Sequence, residues 1–109
     1  SVMTAVANDY SYDDIFARQV EALVSERDLV WAFSTSGRST NVMRAVKLAQ
    51  AKGARTIAFT GQPASPLEAQ CDLCLCASSP SSARSQEIHQ LAYHILCALV
   101  EQSCCESQE

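Results

Sequence analysis

Short runs of consecutive apolar residues alternate along the chain with longer segments in which apolar residues recur every three or four positions. Continuous apolar runs are typical of strands covered on both faces, and the longer spacing is typical of amphipathic helices. The runs predict strands at residues 29–33, 55–60 and 73–77. The spaced segments predict helices at about 13–24, from the turn after the first strand to Gly53, at 67–70, and at about 83–102.

The order of these elements predicts an α/β fold. Strands that alternate with helices form a parallel sheet with right-handed crossovers. A chain of 109 residues suits one domain of this kind, although three strands are few for a sheet with helices on both faces. Ligands of such sheets bind beyond the carboxyl ends of the strands. We therefore expect a binding site near residues 34–39, where the first strand ends.

The turn at 34–39 has the composition of a phosphate site. Ser34, Thr35, Ser36 and Ser39 each carry a hydroxyl group, and Gly37 allows a sharp turn. The next helix starts here, so its free N–H groups and the positive end of its dipole face the same point. An ordinary explanation stays open, because Ser, Thr and Gly are common in turns and Ser39 or Thr40 is a common N-cap.

Charge and hydropathy exclude several classes of partner. The formal net charge is −4 with an isoelectric point near 5.0, and no cluster of Lys or Arg is present, which argues against nucleic acid and anionic membranes as partners. No apolar run has the length of a membrane span, and the first residues do not have the order of a signal peptide. We expect a cytoplasmic protein.

Six cysteines raise the question of a metal site or disulfides. Cys71, Cys74 and Cys76 superficially resemble half a zinc site, but no second ligand pair follows at matching spacing. Cysteine as a small apolar residue of a buried strand is the better interpretation, and reduced thiols suit a cytoplasmic protein. Cys104 and Cys105 lie in a polar tail, residues 103–109, that we expect to be unstructured.

The last predicted helix has two different sides. The apolar stripe formed by Ile88, Leu91, Ile95 and Leu99 lies opposite Gln86, Gln90, His94 and Cys97. A polar side normally faces solvent, but it could also face a partner chain or a binding site. By helix geometry alone His94 is an ordinary surface residue, and His89 is expected at the surface or near the helix start.

Several separate blocks together resemble a known family. They are Ala-Asn-Asp-Tyr-Ser-Tyr at 7–12, Ile-Phe-Ala-Arg-Gln-Val at 15–20, Ser-Thr-Ser-Gly at 34–37, Ile-Ala-Phe-Thr-Gly at 57–61, and residues 83–89 with His94. In these blocks residues 1–102 resemble the carboxyl-terminal part of the phosphoheptose isomerases, members of the sugar isomerase (SIS) domain superfamily. The resemblance implies a three-layer, flavodoxin-like α/β fold with a parallel sheet, present as a partial SIS domain whose amino-terminal portion is missing.

The resemblance also implies an activity and a set of site residues. Phosphoheptose isomerases convert sedoheptulose 7-phosphate to D-glycero-D-manno-heptose 7-phosphate, for the heptose of bacterial lipopolysaccharide, and they assemble as homotetramers. The implied substrate-binding residues are Ser34, Thr35, Ser36 and Ser39 for the phosphate, Asp9 and Thr35 for the open-chain sugar, and Gln86. His94 is the implied acid–base catalyst, and Gln86 and His94 are implied zinc ligands. A histidine that titrates near neutrality suits aldose–ketose isomerisation.

This sequence departs from the family in ways that keep other functions open. The family's first strand, its Gly/Ser loop and the following His and Glu have no counterpart here, so a zinc site of Gln86 and His94 alone would be incomplete. Arg38 replaces the usual Asn, and could pair with phosphate or block the pocket. One alternative is a non-catalytic relative that binds a bacterial replication initiator, although such relatives have Asn at the position of His94. Another is a sugar-phosphate sensor without turnover.

Overall fold

The sheet has three parallel strands in the order β1-β2-β3, and the structure, a computed structural model, describes residues 1–107. The strands are β1 (Leu29–Ser34), β2 (Arg55–Thr60) and β3 (Leu73–Cys76). The helices are α1 (Val2–Asp9), α2 (Ala17–Leu23), α3 (Thr40–Ala51), α4 (Pro66–Gln70) and α5 (Ser82–Ser107), with a 3₁₀ turn at Tyr12–Asp14. Over residues 1–107, no helix is both long enough and apolar enough to cross a membrane.

One face of the sheet carries small residues and packs against α3 and α4. Ala32 of β1 is in register with Ala58 of β2, and both are buried. They form a core cluster with Val46 of α3 and Leu67 of α4, which are fully buried. Alternate residues of a strand point to opposite faces of the sheet. The residues directly before and after each of these alanines in its strand therefore point to the opposite face.

The opposite face is aromatic and meets the first turns of α5. Trp31, Phe33 and Phe59 have ring centroids 5.1 to 5.5 Å apart. Phe33 also makes edge contacts with His89 and Tyr93 of α5. Helices therefore lie on both faces of a parallel sheet, which confirms the predicted three-layer α/β architecture.

The predicted helix at 13–24 is wrong in its first third, because the chain forms a 3₁₀ turn before α2 begins at Ala17. The Ser11 hydroxyl accepts a hydrogen bond from the Asp13 amide at 3.1 Å and caps the 3₁₀ turn. The chain then places Ile15 fully in the interior before α2 begins. Helix α1 lies in a segment for which no element is predicted, and none of its residues is buried.

The predicted polar tail is also partly wrong, because α5 continues to Ser107 and includes Cys104 and Cys105. No Gly or Pro follows Pro80, so nothing in the sequence ends the helix earlier. The last part of the predicted tail, 108–109, lies outside the described residues. All six cysteines are free thiols. The prediction that Cys74 and Cys76 lie in a buried strand is wrong in its burial, because both are half-buried in β3 and its leucines are exposed.

Candidate functional site

The carboxyl ends of the three strands are held together at Thr60 and Gly61. The Gly61 amide donates to the Thr35 carbonyl, and the Gly61 carbonyl accepts from the Ser79 amide, each at 2.9 Å. The Thr60 carbonyl accepts from the Ala77 amide at 2.8 Å. A Cβ at position 61 would collide with Ser85 of α5 and with the Thr35 carbonyl, so only glycine allows this approach. We call residues 60–61 the strand-end junction.

The hydroxyl-rich turn at 34–39 is organised by its own hydrogen bonds. The Ser34 hydroxyl lies 2.9 Å from the Ser39 hydroxyl and accepts from the Gly37 amide at 3.0 Å. The Ser36 hydroxyl accepts from the Arg38 amide at 3.1 Å. Gly37 has φ +68°, a conformation that disfavours any side chain. The turn is therefore preformed rather than dependent on a ligand for its shape.

Helix α3 starts where this turn ends. The amide groups in the first turn of a helix have no intrahelical partner and attract anions. Ser39 is the N-cap residue, and its hydroxyl does not cap α3 because it pairs with Ser34 instead. Arg38 precedes the cap and is exposed. The Asn41 side chain accepts from the Val42 amide at 2.8 Å, which leaves the amides before it for a ligand. These amides, the hydroxyl groups and a nearby cation suit a phosphate group.

A cavity of about 480 Å³ separates the end of β1 from the polar side of α5. Its lining consists of one aromatic residue and two hydroxyl residues from the β1 side, and four mostly polar residues from α5: Phe33, Ser34, Thr35, Gln86, His89, Gln90 and Tyr93. The Thr35 hydroxyl lies 3.3 Å from the Ser82 hydroxyl, which connects the turn to the first residue of α5. This volume is in the range of small-molecule sites.

The structure brings some of the predicted site residues together and leaves others apart. Ser34, Thr35 and Gln86 line the cavity, while Ser36 and Ser39 shape the adjoining turn. Asp9 is exposed at the end of α1, where its carboxylate accepts a hydrogen bond from the Asn8 side chain.

His94 is exposed and lies beyond the cavity wall, with its ring 4.7 Å from that of Tyr93. Neither Asp9 nor His94 is among the residues that line the cavity. The roles of both residues stay predictions.

The orientation of α5 differs from the usual expectation for an amphipathic helix. Gln86 and Gln90, on its polar side, line the cavity, and they are exposed together with His94 and Cys97, so this side is open to solvent as well as to the cavity. The apolar stripe of Ile88, Leu91, Ile95 and Leu99 is 41% to 65% exposed.

The expectation that His89 lies at the surface is wrong. It is 4% exposed, and its Nε2 lies 2.7 Å from the Thr60 carbonyl oxygen. His89 lies four residues after Ser85, which is also buried, so the two share one side of α5, but their burial has no apolar pattern in the sequence to reveal it.

The residues present do not by themselves fit a zinc ion. Among residues 1–107, no three His, Cys, Asp or Glu side chains lie close enough to form a metal site. Gln86 and His94 are separated by about 12 Å of helix rise, whereas zinc–ligand bonds are about 2 Å long. Zinc binding at these two residues would therefore need ligands from outside the described part of the chain.

The thiols near β3 differ in acidity. Burial raises the pKa of the Cys71 and Cys74 thiols. At Cys76, burial also acts to raise the pKa, but hydrogen bonds from Ser78 outweigh it and the pKa is lowered. Cys76 is therefore the most readily ionised of these three thiols.

Comparison with known proteins identifies relatives over nearly the whole chain. The SIS domain family matches residues 2–99. The phosphoheptose isomerase of Roseiflexus sp. (strain RS-1) is 44% identical over 106 residues, which cover 97% of this chain and 54% of that protein. The phosphoheptose isomerase of Thiobacillus denitrificans is 47% identical over 93% of this chain and 53% of that protein.

A solved structure of a phosphoheptose isomerase from Neisseria gonorrhoeae superimposes with a TM-score of 0.88 at 38% identity, covering 91% of this chain and 56% of that one. A phosphoheptose isomerase from Francisella tularensis also gives a TM-score of 0.88 at 38% identity, over 93% of this chain and 55% of that one. The chain thus spans about half the length of the curated relatives it matches.

Proposed function

Because the chain belongs to the SIS domain family, we propose that it supplies the phosphate-binding portion of a phosphoheptose isomerase. Its substrate in this proposal is sedoheptulose 7-phosphate, and the product is D-glycero-D-manno-heptose 7-phosphate. The relatives that carry this name cover 93% or more of the chain. The alternative of a non-catalytic relative that binds a replication initiator has no comparable support.

The observation that carries the proposal is the preformed turn beside the cavity. The turn positions the Thr35 hydroxyl and the open amides of α3 at the end of β1, where a phosphate would meet them. The remaining sugar would extend along α5 toward Gln86. A phosphate at the turn therefore explains both the hydroxyl groups and the polar wall of the cavity.

The chemistry proposed for this substrate is proton transfer between neighbouring carbons. A base removes a proton from C1 of the ketose, the resulting enediol receives a proton at C2, and a proton moves from one oxygen to the other. We propose His94 as the residue that transfers these protons. Since His94 lies outside the cavity lining, turnover requires further protein, from the rest of the domain or another subunit, to close around the substrate.

We further propose that the protein acts in the cytoplasm as a homo-oligomer, a tetramer as the resemblance implies. The exposed apolar stripe of α5 supports association, because an apolar surface of this extent is unfavourable in water. Zinc at Gln86 and His94 is proposed only for an assembly that supplies the missing ligands. A role in lipopolysaccharide heptose synthesis follows from the proposed product.

The test compares ligands that differ only in the phosphate. Thermal unfolding of the chain is measured with sedoheptulose 7-phosphate and with sedoheptulose, and turnover is followed by NMR with and without zinc. We expect the phosphorylated sugar alone to raise the unfolding midpoint, since a ligand that binds only the folded state stabilises it.

Thr35→Val, which keeps the shape but removes the hydroxyl, should reduce this shift, whereas Thr4→Val on the exposed helix α1 should not. Equal midpoints with both sugars would contradict the proposal. Binding without turnover would favour the sensor alternative.

A further inference from the structure

His89 is the most enclosed polar side chain of the cavity wall. It is 4% exposed, and its ring centroid lies 5.5 Å from that of Phe59 and 6.2 Å from that of Phe33. Its Nε2 lies 2.7 Å from the Thr60 carbonyl oxygen at the strand-end junction. The ring is therefore fixed on the sheet side by both packing and a hydrogen bond.

This hydrogen bond determines which ring nitrogen carries the proton. A carbonyl oxygen can only accept, so Nε2 must donate to Thr60. In the neutral imidazole the other nitrogen, Nδ1, is then an acceptor. Among the described residues, no protein group bonds to Nδ1, although His89 forms part of the cavity wall. His89 therefore brings to the cavity wall a ring nitrogen that can accept a hydrogen bond and has no protein partner in the described part of the chain.

We propose that His89 is a ligand-binding residue whose Nδ1 accepts a hydrogen bond from a hydroxyl group of the sugar chain. The inference rests on the proposed function and assigns a second contact to the same site. The turn at 34–39 would hold the phosphate, and His89 would accept a hydrogen bond from a hydroxyl group farther along the sugar chain. Gln86 and Gln90 flank His89 on α5, so their amide groups can bind neighbouring hydroxyl groups.

This arrangement predicts a particular specificity. An acceptor in a fixed position favours a ligand with an O–H group there, and a ligand without that group leaves the acceptor unpaired in a confined site. Polyhydroxylated sugar phosphates should therefore bind better than deoxy analogues with the same phosphate. Inorganic phosphate has no sugar chain that would extend from the turn to His89, so its affinity should not depend on the side chain at position 89.

Two variants of His89 test the role of each ring nitrogen separately. His89→Gln places an amide near the position of Nε2, so it retains a donor for Thr60 but removes the acceptor at Nδ1. His89→Asn places its amide near the position of Nδ1, so it retains a polar group facing the cavity but loses the bond to Thr60. We expect His89→Gln to bind sedoheptulose 7-phosphate about 3- to 10-fold more weakly, the effect of one hydrogen bond, with unchanged affinity for inorganic phosphate.

We expect the opposite pattern for His89→Asn, namely a lower unfolding midpoint and a smaller loss of affinity when binding is measured well below that midpoint. Calorimetric titration of the full chain supplies the affinities. A ¹⁵N NMR spectrum of His89 supplies a second readout: the proton should be on Nε2, and the Nδ1 signal should shift when sedoheptulose 7-phosphate is added.

The outcomes distinguish this inference from the proposed function. If the wild-type chain binds no sugar phosphate, both fail. If the wild-type chain binds it and His89→Gln binds equally well, or if the NMR spectrum places the proton on Nδ1, the role of His89 is wrong and the proposed function stands.

Discussion

Replacing Gly37 by alanine should destabilise the protein through two separate effects. Gly37 has φ +68°, and holding a residue with a side chain there costs about 1–2 kcal/mol. The added Cβ would also collide with the side chain of Ser65, which is 2% exposed. The Ser65 hydroxyl caps α4 by accepting from the Glu68 amide at 3.2 Å, and loss of this cap costs about 1 kcal/mol. We expect the free energy of unfolding to fall by about 2–3 kcal/mol.

Urea unfolding followed by the fluorescence of Trp31, the one tryptophan of the chain, measures this change. Gly53→Ala is the matched control, because Gly53 has φ +87° but a Cβ there would meet no atom closer than the Glu26 Cβ at 3.2 Å, with the Glu26 Cα at 3.7 Å. It should lose about 1–2 kcal/mol from backbone strain alone. Ser65→Gly in the Gly37→Ala background should recover about 1 kcal/mol, because it removes the colliding atoms and Gly is an acceptable N-cap. The reasoning is refuted if Gly37→Ala destabilises no more than Gly53→Ala, or if Ser65→Gly gives no recovery.

Four further predictions concern other parts of the chain. Asp72→Ala should lower the free energy of unfolding by about 1–3 kcal/mol in urea, because Asp72 accepts from the amide and hydroxyl of the fully buried Thr56; an unchanged midpoint would contradict this. Ser85→Ala should be neutral or stabilising in the same assay, since the buried Ser85 hydroxyl has no hydrogen-bond partner within residues 1–107, and a clear loss of stability would show a partner in solution. Arg38→Ala should weaken binding of inorganic phosphate by about 3- to 10-fold in calorimetry, whereas Arg27→Ala should not, and equal effects would remove Arg38 from the site. In variants that keep a single cysteine, the reaction rate with a thiol reagent should rise at lower pH for Cys76 than for Cys71, because the thiolate is the reactive form and the pKa of Cys76 is lowered while that of Cys71 is raised; coincident profiles would contradict it.

The strands and the position of the hydroxyl-rich turn could be predicted because local pattern decides them. The predicted strand at 55–60 has the observed bounds of β2, and the predicted first strand differs from β1 only by Ser34. These segments are apolar runs bounded by turn residues, and such runs need little tertiary information to identify. The turn at 34–39 was found because its hydroxyl groups are adjacent in sequence.

The errors arose where tertiary packing decides the structure. His89 and Ser85 are buried because α5 crosses the strand-end junction on the side that carries them, which lies between the polar side and the apolar stripe and leaves both of those sides exposed. The 3₁₀ turn before α2 depends on the Ser11 cap and on the burial of Ile15, and neither changes the spacing of apolar residues. Periodicity identifies the sides of a helix but does not say which side the rest of the protein will cover.

The atoms that hold the cavity together at the strand-end junction are different from the side chains that would contact a bound ligand. Main-chain atoms of Thr60 and Gly61 anchor the β1 turn, the segment after β3 and His89 of α5. The side chains of Gln86, Gln90 and Tyr93 take no part in those anchoring bonds and face the opening. In the proposed function, Gln86 and Gln90 could therefore be varied to select a different sugar while the scaffold stays intact, whereas any side chain added at position 61 would disturb both walls at once.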